Sequence, residues 1–305
     1  MKVLFMGTPE FAVASLSALI RSRHKVVGVV TQPDRAVKHG KYETGAVKKF
    51  ALENGLSVFQ PVKIRDAVET LKGYGADIAV TAAYGQLLTS DVLNAFPNGV
   101  INVHASLLPK YRGASPIASA ILCGERETGV TIMRTELGLD TGDILSVAKT
   151  AIGASETAGE LTARLSEIGA KLLVDTLDDF DNIVPIPQDG ALATHCRTIK
   201  KDEQFIDFTR TSTEVVNMIR AYSPLPCAKT DINGEVYKIY AAEETDGTSA
   251  KAGEILRSDS ALVIACGTGA IKVSKIQAPS KRALDASEFL RGRKFETGVI
   301  CGKPQ

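Results

Sequence analysis

The sequence predicts an α/β chain in two parts: a Rossmann-like domain on a mostly parallel sheet, then a smaller domain of short strands. Two observations predict it. Short apolar runs alternate with stretches of helical period through the first half of the chain, the pattern of strand-helix-strand units. From about residue 205 that texture gives way to short strand-like runs separated by glycines and polar turns. With 305 residues, 44% of them hydrophobic and 23% charged, the chain can bury two cores.

Residues 2–6 form a short apolar run that turns at Gly7-Thr8-Pro9 into a helical pattern over 10–22, and 26–30 read as the next strand. Residues 78–82, 100–103 and 130–134 supply further apolar strands with helical patterns between several of them. A mostly parallel sheet with helices on both faces is the expected result, and its ligands would sit beyond the carboxyl ends of the strands. Residues 157–177 read as a helix with apolar positions at Leu161, Leu165, Ile168, Leu172 and Leu173, closing a first domain over 1–183. Ile183-Val184-Pro185-Ile186-Pro187-Gln188-Asp189-Gly190 discourages regular structure, so 184–204 is expected as a linker. In the second domain, 205–305, a helix over 212–221 precedes strands at 236–241, 261–265 and 271–276. No internal repeat is present.

Composition excludes several classes. No apolar stretch approaches the roughly 18 residues a membrane span needs, and Glu10 breaks the first apolar run before it can resemble a signal peptide, so a cytoplasmic protein without a membrane partner is expected. The five cysteines lack any Cys-x-x-Cys pair, which argues for free thiols in a reducing compartment and against a disulfide framework or zinc site. Gly7-Thr8-Pro9-Glu10 follows a strand but lacks the other glycines of a dinucleotide fingerprint. Pro9 removes a phosphate-binding N–H there, and Glu10 repels phosphate. No Gly-x-x-x-x-Gly-Lys loop occurs, so nucleotide hydrolysis is unsupported. A net charge of +1 does not announce a nucleic-acid binder, and any such binding must come from local patches.

Asn102-Val103-His104 alternates two polar side chains about an apolar one at the end of a strand, so both point to one side. An amide can donate to an oxyanion as it develops, and an imidazole can accept a proton; Asp140 follows in the glycine-flanked Gly138-Leu139-Asp140-Thr141-Gly142-Asp143. With no serine or cysteine nucleophile set among them, the combination suits direct acyl transfer. Of the four histidines, His24, His39 and His195 are expected on the surface or in loops.

Asn-x-His, the following Ser106-Leu107-Leu108-Pro109, Tyr111-Arg112-Gly113-Ala114-Ser115-Pro116 and the Leu139-Asp140-Thr141-Gly142-Asp143 loop together resemble the folate-dependent formyltransferases. Gly7-Thr8-Pro9-Glu10-Phe11, Thr31-Gln32-Pro33-Asp34-Arg35, Ile206-Asp207-Phe208 and Phe289-Leu290-Arg291-Gly292 extend the likeness over nearly all of the chain, and are most similar to the branch that formylates methionyl initiator tRNA.

The resemblance implies a small OB-like β-barrel for the second domain and 10-formyltetrahydrofolate as a co-substrate, with no tightly bound cofactor and no metal. It implies catalysis by Asn102, His104 and Asp140, the carboxylate pairing with and orienting the imidazole. Ser106, Leu107, Leu108 and Pro109 would receive the folate, with 81–88 as a further wall. A basic loop after the second strand, carrying Arg35, Lys38 and Lys41, would meet the tRNA acceptor end. This chain has only Ala36-Val37-Lys38-His39-Gly40-Lys41 where the family has a longer glycine-rich basic stretch. The run Ser223-Pro224-Leu225-Pro226-Cys227 likewise lacks the family's usual tryptophan and glycine. Lys200-Lys201, Lys281-Arg282 and Arg291-Gly292-Arg293-Lys294 are candidate backbone-binding patches in the tRNA-binding domain. A monomer is expected. The alternative reading is a formyltransferase for an amino sugar nucleotide or another small amine.

Overall fold

In the computed structural model, which describes residues 1–36, 42–247 and 250–304, the first apolar run forms β1 (Lys2–Gly7), buried from its second residue on. Gly7 permits the tight turn that follows: a Cβ there would lie 2.8 Å from that of Ala12 and 2.9 Å from the Ala82 carbonyl oxygen. Helix α1 (Phe11–Arg21) buries Ala12, Leu16 and Leu19, one face of a helical repeat. Next come β2 (Lys25–Val30), the short hairpin strands β3 (Arg35–Ala36) and β4 (Tyr42–Glu43), α2 (Ala46–Glu53) and β5 (Val58–Phe59). They lead to α3 (Val68–Gly73), β6 (Ile78–Ala82), α4 (Ser90–Leu93), β7 (Val100–His104), β8 (Arg112–Gly113) and α5 (Pro116–Leu122). Then follow β9 (Glu127–Arg134), β10 (Ile144–Ala151), α6 (Ala158–Asp178) and β11 (His195–Cys196).

The main sheet runs β10-β9-β7-β6-β1-β2-β5. Strands β7, β6, β1, β2 and β5 are parallel, while β9 is antiparallel to both β7 and β10. The strand expected at 130–134 therefore enters the sheet against the direction of the others. Two strands without a sequence-based expectation, β5 and β10, form the edges.

The chain folds into two compact units: Met1–Pro116 with Glu127–Ala151 and Thr162–Cys196, and Ile117–Arg126 with Ile152–Leu161 and Arg197–Gln305. The division expected at 184–204 cuts by chain position, whereas these units interleave. Residues 184–196, expected as the start of a linker, are pinned within the first unit. Ile186 exchanges two 2.8 Å backbone hydrogen bonds with Ile144, and β11 pairs in parallel with β8. His24 lies in the loop between α1 and β2, as expected, yet is only 6% exposed, with Asp178 3.1 Å from Nε2 and the chain's amino group 3.2 Å from Nδ1.

In the second unit, α7 (Ser212–Tyr222) starts at a reciprocal cap: the Thr211 side chain accepts from the Glu214 backbone N–H, and the Glu214 carboxylate accepts from that of Thr211. Then come β12 (Ala228–Ile232), β13 (Glu235–Thr245), β14 (Ile255–Ser258), β15 (Leu262–Ala265), β16 (Ala270–Gln277), β17 (Ala283–Asp285) and α8 (Ala286–Gly292). Their antiparallel sheet runs β12-β13-β16-β15-β14, with β17 on β16. The tail closes it. Gly302 bridges to Asp231 on β12, while Ile300 bridges to Glu254 beside β14, so both edges of the curled sheet are tied by one segment. Cys227 sits fully buried at φ 71°, a conformation in which glycine is unstrained. Among the described residues no helix is long and apolar enough to cross a membrane.

Candidate active site

Strand β7 delivers Asn102 and His104 to one side at its carboxyl end. Val103, between them, faces α6, where a Cβ on Gly169 would come within 3.0 Å of Val103 Cγ1. Thr81, the neighbour of Asn102 in register on β6, donates its hydroxyl to Asn102 Oδ1 at 2.9 Å. With the oxygen so engaged, the amino end of the amide is left to donate to a ligand.

Nε2 of His104 donates to the Tyr111 carbonyl oxygen at 3.0 Å; a carbonyl can only accept, so this nitrogen carries the hydrogen and Nδ1 holds the lone pair. Nδ1 lies 3.7 Å from Asp140 Oδ2, and the two side chains are 6% and 14% exposed. That separation exceeds a hydrogen bond but is short enough for the carboxylate to support a protonated ring. Asp140 thus stands beside the basic nitrogen, and the tautomer is set by Tyr111.

Asp140 is itself held. Its Oδ2 accepts from the Gly113 N–H at 2.8 Å. Gly113 has φ 119° and fits only because it lacks a side chain: a Cβ there would lie 2.1 Å from the Cys196 carbonyl oxygen. Ala83, Tyr111 and Asp140 all adopt positive φ, at 47°, 59° and 52°, so left-handed backbone clusters around the ends of these strands.

Of the residues expected to receive folate, Ser106 is fully buried and donates to the Lys110 carbonyl at 2.7 Å. Its own carbonyl accepts from Thr131 Oγ1 at 2.7 Å, and that hydroxyl accepts from the Leu108 N–H at 3.3 Å. Ser106 is therefore a brace within the segment. Leu108 is buried as well, whereas Leu107 and Pro109 are partly exposed. In the 81–88 stretch, Tyr84 holds that wall in the core, and burial pushes its phenol up to about 12, which removes it as a proton carrier near neutrality. Its carbonyl accepts from Gln32 Nε2 at 3.2 Å.

The described residues expected to meet tRNA fall in both units. Arg35 is exposed on β3 opposite Glu43 of β4; Lys38 and Lys41 lie outside the described residues, as does His39. Lys200 and Lys201 are exposed in the second unit. Arg293 is engaged by Glu235 at 2.6 Å and by the Tyr237 ring, 5.4 Å from its centroid. Among the described residues no group of three or more His, Cys, Asp or Glu gathers to hold a metal. A separate polar cavity of about 610 Å³ is lined by Ser212, Glu244, Asp246 and Gly269, but Glu244 there is taken up by the Ser212 and Thr213 hydroxyls, each at 2.8 Å.

Sequence reasoning missed what holds the three residues in place. Thr81 left a signal, a lone hydroxyl inside an otherwise apolar buried strand. Gln188 left none.

An amide and a buried imidazole at the carboxyl end of a parallel strand, with a carboxylate brought beside them by a later loop, occupy the place where Rossmann-like sheets bind their ligands. The chain belongs to the formyl transferase family: the formyl transferase model matches residues 1–177 and the formyl transferase C-terminal domain model residues 198–294. It is 42% identical over 315 residues to a methionyl-tRNA formyltransferase of Lachnospira eligens, covering 99% of this chain and 100% of that one. With the enzyme of the same name from Chromobacterium violaceum it shares 42% over 309 residues, with 99% and 100% covered. Among solved structures, an N-formyltransferase from Helicobacter canadensis, in complex with folinic acid and dTDP-3-aminofucose, shares the fold at a TM-score of 0.68 and 22% identity, covering 92% of this chain and 100% of that one.

Proposed function

We propose that this chain transfers the formyl group of 10-formyltetrahydrofolate to the α-amino group of methionyl initiator tRNA, acting as a monomer in the cytoplasm. The observation that carries the chemistry is the constellation at the end of β7: an amide anchored by its oxygen, and an imidazole whose free nitrogen faces a carboxylate. The acceptor rests on relatives at 42% identity whose names specify methionyl-tRNA.

The amine nitrogen attacks the formyl carbon, and the carbonyl electron pair moves onto oxygen, where the Asn102 amino group meets it. The proton lost by the nitrogen passes to His104 Nδ1, and the nearby Asp140 charge offsets the resulting imidazolium. The adduct collapses by breaking the bond to the folate nitrogen, which takes up a proton and leaves as tetrahydrofolate. Ser106, the hydroxyl nearest in sequence, is committed to the Lys110 carbonyl, which speaks against an acyl-enzyme through it. The donor is consumed as a co-substrate, and Leu107 and Pro109 with the 81–88 wall would border its pterin.

The test offers purified protein 10-formyltetrahydrofolate with methionyl initiator tRNA, glycinamide ribonucleotide or an amino sugar nucleotide, each separately. Formylation of the tRNA is the expected result. Preference for a small amine would overturn the reading in favour of the alternative.

A further inference from the structure

We infer that Gln188 is a positioning residue for catalysis, a clamp that holds the Asp140 carboxylate beside His104. Its carboxamide oxygen accepts from Arg112 Nε at 3.1 Å and Nη2 at 2.7 Å. Its amide nitrogen donates to two carbonyls of the aspartate loop, Asp140 O at 3.0 Å and Gly142 O at 2.7 Å. One side chain thereby ties both supports of Asp140. Arg112 immediately precedes Gly113, whose N–H holds the carboxylate, and the two carbonyls fix the backbone that carries it. Both ends of the amide are used, two bonds in and two out, and only an amide supplies acceptor and donors from one planar group.

The surroundings make the clamp stiff. Arg112 is 7% exposed, so its guanidinium needs partners for its N–H groups. The 184–188 segment is fastened to the start of β10 through Ile186, and β11 fastens its far side to β8. Asp140 has positive φ, which costs an aspartate energy and persists only where its neighbours impose it.

The inference rests on the proposed formyl transfer, and its test separates the two. Gln188→Ala and Gln188→Glu are compared with wild type in steady-state formylation of methionyl-tRNA, with melting curves recorded alongside. The glutamate variant is the informative one. It keeps an oxygen for Arg112, and so the partner of the buried cation, but sets a second oxygen against the Asp140 and Gly142 carbonyls. Both variants should lower kcat at least ~10-fold while KM for the folate donor stays within about 3-fold, since the bonds they break act on the reacting centre and not on donor binding. A folded glutamate variant with wild-type kcat would overturn the clamp, as would loss of folding in both variants, which would make Gln188 a stability residue. A wild-type enzyme that does not formylate the tRNA would instead overturn the parent reading.

Discussion

At the scale of single residues, the site divides into groups that face the reaction and groups that aim them. Asn102 and His104 act on charge and protons that exist only during transfer, so Asn102→Ala or His104→Ala should lower kcat at least ~100-fold while donor affinity stays within a few-fold. Steady-state kinetics with a separate donor-binding measurement checks this, and near-normal turnover would remove that residue from the mechanism. Thr81 aims Asn102. Replacing it with valine keeps the shape of a buried position but deletes the hydroxyl that anchors Oδ1. The amide can then present its oxygen to the developing anion, so Thr81→Val should lower kcat several-fold with the melting temperature little changed. An unaltered kcat would show that the Thr81 bond is incidental. The alternation Asn102-Val103-His104 was legible because strand period decides which side chains share a face. The partner of the Thr81 hydroxyl and the Tyr111 and Gln188 bonds were not, since they join positions 21, 7 and 46 or more residues away.

At the scale of elements, legibility followed burial on both faces. Strands β1 and β6 are continuous apolar runs and were readable. Strand β10 mixes apolar and polar residues at an edge, with Val147, Lys149 and Ala151 exposed, and β5 has two residues, so neither stands out from a loop. Closure of the second sheet was hidden for another reason: Asp231 and Gly302 meet across most of that domain's sequence. Three thiols report on this unit's integrity. Burial raises Cys227 and Cys266 to about 11 and Cys301, in the closing tail, to about 12, from an ordinary value of 9.0. The unfolded chain releases these protons first as pH rises, so their contribution to stability is whole below pH 9 and fades between 9 and 12. Melting temperature should therefore fall over that interval. A Cys266→Ala, Cys301→Ala double variant should show a shallower fall, and an equal slope would mean that other groups control alkaline unfolding.

At the scale of the whole molecule, a net charge of +1 means that attraction to tRNA cannot come from the overall field and must be local. Two candidate cations are already occupied: Arg293 faces Glu235, and Arg282 lies 3.4 Å from Glu288. A cation with a carboxylate neighbour contributes less to phosphate binding than a solvated one, because the phosphate must compete with that neighbour. Lys200 and Lys201 are exposed, and the carboxylate beside them, Glu203, is drawn first to Arg197 and then to the Lys200 backbone N–H. Neutralising both lysines should raise KM for methionyl-tRNA and flatten its dependence on salt by roughly one unit of log-log slope for each phosphate no longer neutralised. The same measurement on Arg35→Gln, Lys38→Gln and Lys41→Gln combined tests the loop after β2. Neither change should alter KM for the folate donor, because among the described residues the bonds around Asn102 and Ser106 are made by Thr81, Lys110 and Thr131. If the loop variant flattens the slope and the Lys200, Lys201 variant does not, tRNA engagement belongs to the first unit; the reverse assigns it to the second, and two unchanged slopes would remove both patches.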